Sequence, residues 1–203
     1  MSTLAELSAD RTVVPPGRWT VDPGHSEVEF EVRYLTITTV RGCFRAFEGA
    51  LEVDGADRVR AYGVIDVASV DTGAPERDAH LLSSEFLDVD RHPTIRYRLL
   101  ALRPEGDGCY RILGELTIRG VTRQVALDAT VAASPREPWG EKRLALELSG
   151  ALSRRDFGLR WTGRVDGHPI LGDAVRLVIR VSLMRRTGAE PTGGRLRGHS
   201  RAS

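Results

Sequence analysis

Residues 27–34 read EVEFEVRY, and the period of this octet decides the fold. Val28, Phe30, Val32 and Tyr34 fall on one side of an extended chain, while Glu27, Glu29, Glu31 and Arg33 fall on the other. That alternation marks a β-strand with one face buried and one in water. It recurs at Val59, Ala61, Gly63, Ile65 and Val67, then at Ile95, Tyr97 and Leu99, and at Tyr110, Ile112, Gly114, Leu116 and Ile118. Val125 to Val131, Leu144 to Leu152 and Val175 to Leu183 repeat it. The segment TIRGVTRQV, residues 117–125, sets a Gly-containing turn between two such runs, so 110–131 is expected to form an antiparallel hairpin.

No regular βα unit interrupts this meander. Strands that each carry one apolar face must close on themselves or stack in two sheets, and continuity favours closure. The expected fold is mainly β, an antiparallel barrel, with a sandwich as the other solution. Ala61, Gly63, Gly114, Ala129 and Gly150 stand at inward-type positions, which predicts room inside.

One stretch departs from the pattern: DTGAPERDAHLLSSEFLDVDRHP, residues 71–93. Pro75 suits a first helical position, Glu76 and Asp78 suit the positive end of a helix, and Leu81, Leu82 and Phe86 follow at helical spacing. A short helix is predicted from about Pro75 to Leu87, packed over one end of the barrel.

The chain has 203 residues and a formal charge of +1. This is the size of one domain, without the basic footprint of nucleic-acid binding. The sequence divides into a flexible N-terminal segment at 1–17, a barrel domain at 18–186 and a disordered tail at 187–203. The N-terminus shows neither a basic n-region nor a long apolar run, and no apolar stretch is long enough for stable membrane insertion, so a cytoplasmic protein is expected. Cys43 and Cys109 are too few for a disulfide framework. His25, His80, His92, His168 and His199 lack metal-ligand spacing, and no nucleophile or nucleotide motif is present. No metal, cofactor or enzymatic activity is expected.

Polar residues set beside apolar runs remain: His25, the group Arg77, Asp78 and His80, and the group Arg154, Arg155, Asp156 and Trp161. Charged groups that leave water together need pairing, so a structural clasp of His25, Asp78 and Asp156 is one reading. The other has Arg77, Arg154 and His80 greeting a ligand's polar head, for which a guanidinium fork is suited. An acid/base pair of Asp78 and His80 acting on a bound lipid or quinone is a further alternative.

Taken in order, WTVDPGHSEVEFEVRYL, VRGCFRAFEGAL, SVDTGAPERDAHLLSSEFLDVDRHPTIRY, GELTIRGVTRQVAL, LSRRDFGLRW and LGDAVRLVI resemble the YceI-like family of polyisoprenoid-binding, lipocalin-like proteins. The resemblance covers nearly all of 18–183. It implies an extended lipocalin-like barrel of about eight strands with one or two short helices, often dimeric, whose bore holds a polyisoprenoid or other long-chain amphiphile. It implies a carrier or store, or otherwise a stress-related interaction module with an incidental cavity. Phe30, Val32, Phe44 and Phe47 would lie on the inner wall. Arg77, His80, Arg154 and Trp161 would occupy polar motif positions, and Tyr34 stands where many relatives carry His.

Overall fold

The computed structural model describes residues 14–35, 37–54, 58–133, 143–165 and 168–185. Its strands are β1 (Gly17–Val21), β2 (Glu27–Tyr34), β3 (Thr38–Phe44), β4 (Phe47–Asp54), β5 (Arg58–Asp66), β6 (Val70–Asp71), β7 (Thr94–Gly106), β8 (Cys109–Ile118), β9 (Val121–Ala133), β10 (Arg143–Ser153), β11 (Arg164–Val165), β12 (His168–Pro169) and β13 (Leu171–Arg185). The α-helix among the described residues, α1, spans Pro75–Leu82.

Eight strands form a closed antiparallel ring in the order β1, β4, β5, β7, β8, β9, β10, β13, with β13 returning to β1. The expected barrel is therefore present. β13 is shared along its length: Leu183–Arg185 pair with β1, and Val175–Arg180 pair with β2. β1 and β2 thus run end to end along one edge of β13, as β4 and β3 do one strand further on.

The joint between β1 and β2 is a 3-10 turn at Pro23–His25, where the Asp22 carboxylate accepts from the Gly24 amide at 3.1 Å. Ser26 bridges the gap, donating to the Asp22 carbonyl and accepting from the Ser182 amide. A guanidinium N–H of Arg143 also reaches Asp22 at 2.7 Å. Hydrogen bonds from Arg143 and then His25 hold the Asp22 carboxyl below the usual aspartate range.

The octet EVEFEVRY behaves as its period requires. Val28 and Val32 are buried, while Glu29 and Glu31 on the outer face meet Arg180 and Arg41 at 2.9 and 2.8 Å. The 110–131 hairpin also forms, with Ile118 opposite Val121. Its two turn residues, Arg119 and Gly120, both have positive φ (50° and 73°), the conformation whose twist matches a two-residue hairpin. The Arg119 side chain then donates to the Ser84 and Gly158 carbonyls, tying this turn to the segments that follow α1 and β10.

One expectation needs correction. The helix ends at Leu82, not Leu87, because Ser83 leaves the helical region (ψ 166°) and its hydroxyl takes the His80 carbonyl at 2.8 Å. The chain then folds back, with the Leu87 amide on the Leu81 carbonyl, and buries Phe86 and Leu87. At the other end, Val14 is buried beside Trp19, whose indole N–H donates to the Pro15 carbonyl. Residues 1–13 and 187–203 lie outside the described residues.

The apolar interior gathers at both ends of the barrel. Val67, Phe86, Leu87, Ile95, Phe157 and Leu159 pack beneath α1. Trp19, Leu51, Val53, Leu144 and Leu183 close the opposite end, with Trp19 fully buried. The wall is uneven in one place. The ladder between β5 and β7 runs from Asp66 opposite Thr94 to Tyr62 opposite Arg98. Among the described residues, Arg58–Ala61 and Leu99–Gly106 form no further pairs across it, and β7 carries register shifts beyond Leu99 and Pro104.

Candidate ligand-binding site

The ring encloses a cavity of about 710 Å³, inside the range of roughly 300–1,000 Å³ typical of small-molecule sites. Alternate residues of β13 from Val175 to Leu183 border it. Eight steps at about 3.3 Å each make the bore roughly 26 Å long on that side. Leu51 and Leu183 form its floor, continuous with the Trp19 cluster, and His80, Leu81, Phe86 and Trp161 stand at its head. Phe30, Val32, Tyr34, Phe44 and Phe47 all border the cavity. Phe30 and Phe44 meet with ring centroids 5.6 Å apart, and Gly42 makes room for the Phe30 ring, which a Cβ there would strike.

The small inward residues divide. Ala61 and Gly63 border open space, and a Cβ on Gly63 would meet nothing nearer than the Glu48 carbonyl at 3.8 Å. Gly114 and Gly150 do not add volume as expected, because the Tyr97 ring and the Leu127 side chain fill those positions. Ala129 is buried in the cluster around Tyr110.

The polar rim is organised by Thr72. Its amide and hydroxyl both donate to the Asp78 carboxylate, at 3.0 and 2.5 Å, while the Arg77 guanidinium donates to its hydroxyl and carbonyl, both at 2.7 Å. Asp78 and Arg77 thus fasten the first turn of α1 to the end of β6. His80 faces Glu85 at 3.3 Å rather than Asp78, and its ring sits edge-on to Trp161 and Phe86, 5.0 and 5.9 Å away. The Asp78–His80 pair is therefore not formed.

His25 does not join this clasp. It is exposed and bonds to Asp22 at 2.8 Å, near Ser182 and far along β13 from the Leu171 end. Asp156 is exposed in the 3-10 turn Arg154–Phe157.

Arg154 is 1% exposed. Its Nε donates to the Gly172 carbonyl, Nη1 to the carbonyls of Leu159 and Trp161, and Nη2 to the Leu171 carbonyl, and Nη2 also pairs with the Asp173 carboxylate at 3.2 Å. Every nitrogen of the guanidinium is thus engaged within the protein. Burial draws the guanidinium pKa down, and the Asp173 charge works the other way.

Residues 19–183 match the family model described as the YceI-like domain. The chain belongs to the YceI-like family. A UPF0312 protein of Serratia proteamaculans is 33% identical over 78% of this chain and 80% of its own length. Among solved structures, BcnA of Burkholderia cenocepacia superposes with a TM-score of 0.70 at 24% identity, over 80% of this chain and 98% of that one. A polyisoprenoid binding domain from Saccharophagus degradans, described as implicated in plant cell wall breakdown, superposes at 0.65 with 14% identity, over 83% and 98% of the two chains. Both likenesses are of fold.

Within this YceI-like barrel, sequence reading missed two residues that shape the site. Thr72 gave no signal because nothing in the sequence says that Arg77 and Asp78, five and six residues on in the predicted helix, turn their side chains back onto it. The alternation places Tyr97 on the inward face but says nothing of where its hydroxyl finds a partner. That hydroxyl is buried with no hydrogen-bond partner among the described residues, and burial pushes its pKa up to about 12. An unpaired buried hydroxyl costs about 1–3 kcal/mol. Among the described residues, no three His, Cys, Asp or Glu side chains gather as metal ligands, and no helix is long and apolar enough to cross a membrane.

Proposed function

We propose that this protein binds a polyisoprenoid or similar long-chain lipid in its bore and acts as its carrier or store. The observation that carries this reading is the 710 Å³ cavity itself, lined along β2, β5 and β13 by aliphatic and aromatic side chains and closed at one end. A monomeric soluble fold gains stability by filling such a space, so an apolar bore left open argues for an apolar occupant. Membership of the family supports the same reading, as does the likeness in fold to a domain described as polyisoprenoid-binding.

The magnitudes are sufficient. Fifteen buried methylenes contribute about 12 kcal/mol, and micromolar affinity corresponds to about 8 kcal/mol. About 4 kcal/mol is left to offset association, which is the lower end of its cost.

In this reading the tail points to the Leu51 and Leu183 floor and the head rests at the α1 end. Arg77 keeps N–H groups beyond those given to Thr72, and His80 borders the cavity beside Trp161, so these two would meet a polar head. Arg154, with each of its nitrogens engaged, would hold the rim segments 159–161 and 171–173 in place instead of meeting the ligand. Organic extraction of the purified protein followed by mass spectrometry tests the reading. A bound long-chain lipid at near one equivalent supports it; an empty protein that also fails to bind added long-chain amphiphiles overturns it.

A further inference from the structure

The Tyr97 hydroxyl is the oddity of the bore. Its ring borders the cavity from near the start of β7 and packs against both the Ile95–Leu116 cluster and the Ile112–Leu127 cluster. Gly114 on β8, diagonally across from Tyr97 and paired with Leu99, provides the space: a Cβ there would collide with the ring edge and the hydroxyl oxygen. The wall is thus shaped to hold a phenol where a phenylalanine would fill the same space without leaving a donor unpaired. Burial also keeps the phenol protonated, and so a donor, at any ordinary pH. Unpaired polar groups that persist in an apolar site are explained when a ligand completes them.

We propose that Tyr97 is a specificity-determining residue of the bore: its hydroxyl donates a hydrogen bond to an oxygen carried part-way along the bound chain. The site therefore prefers long-chain lipids bearing a keto, ester or ether oxygen at the depth of Gly114 over bare hydrocarbon chains of equal length. This inference rests on the bore being a lipid site, and it adds a second recognition point in the wall, distinct from the Arg77 and His80 rim. The hydroxyl lies against Gly114 in the wall, so the proposed bond requires the Tyr97 side chain to turn toward the cavity when ligand binds.

The test uses stearic acid and a set of stearic acids with a keto group at successive chain positions, titrated by displacement of 1-anilinonaphthalene-8-sulfonate. In the wild-type protein one keto position, and its near neighbours less so, should bind roughly tenfold more tightly than stearate, the size of one well-made hydrogen bond. Tyr97→Phe should abolish that preference, so that the keto-stearates and stearate bind it alike, and its ligand-free melting temperature should equal or exceed that of the wild type. Stearate binding without any keto preference overturns this inference and leaves the lipid-binding reading standing. So does a ligand-free Tyr97→Phe protein that melts well below the wild type, since the hydroxyl then has a partner in the protein. Failure of every probe to bind overturns both.

Discussion

At the scale of single residues, charge and burial separate roles that looked alike in the sequence. Arg77 and Arg154 were equal candidates for a head group. Arg77 lies on the exposed side of α1 with part of its fork free, whereas Arg154 is buried and serves four backbone carbonyls and Asp173. Those carbonyls belong to the start of β13 and to the loop after the Arg154–Phe157 turn. Arg154→Met would leave them unpaired in the core. It is expected to lower stability by about 3 kcal/mol or more, measured by urea unfolding. Arg154→Lys should recover only part of this loss, because an ammonium offers three donors in place of a five-donor fork. A change of less than about 1 kcal/mol in Arg154→Met would show that water or the backbone meets the same need.

At the scale of elements, period-two patterning and turn chemistry were legible because each is local. EVEFEVRY needs only its own pleat to declare a buried face, and Arg119-Gly120 needs only its neighbours to make a turn. The end of α1 was not legible. Helical spacing continues through Phe86, and what stops the helix is the competition of one serine hydroxyl for the His80 carbonyl, together with burial of Phe86 and Leu87 under β7 and β8. His25 was misgrouped for a similar reason: its place beside Asp22 depends on how β1 and β2 share β13, a long-range pairing. The uneven β5–β7 wall also escaped notice. Pro104 and the charged Arg103 and Glu105 in β7 are features of a protected strand edge. Hydrogen exchange should follow the ladder. Amides of 94–98 and 62–66 should be well protected, and those of Leu99–Gly106 that face β5 should exchange faster. Uniform protection along β7 would mean that the wall is sealed.

At the scale of the whole molecule, closure of eight strands removes most of the sheet's open edge and commits their inward side chains to one interior. The sequence announced the barrel through repeated alternation, but not how full it is. Gly63 and Gly114 look identical in the alternation; only three-dimensional placement shows Gly114 filled by Tyr97 and Gly63 facing open space. The central claim is that this space is a binding site for a long apolar chain. Its most direct test is the affinity of the wild-type protein and of Gly63→Phe for saturated fatty acids of increasing length. For the wild type, affinity should rise with each added methylene by up to about 0.8 kcal/mol until the chain fills the bore, and then level off. Gly63→Phe should keep its melting temperature while the rise stops several carbons earlier. Affinity that does not depend on chain length, or a Gly63→Phe protein that binds long chains as the wild type does, would contradict it.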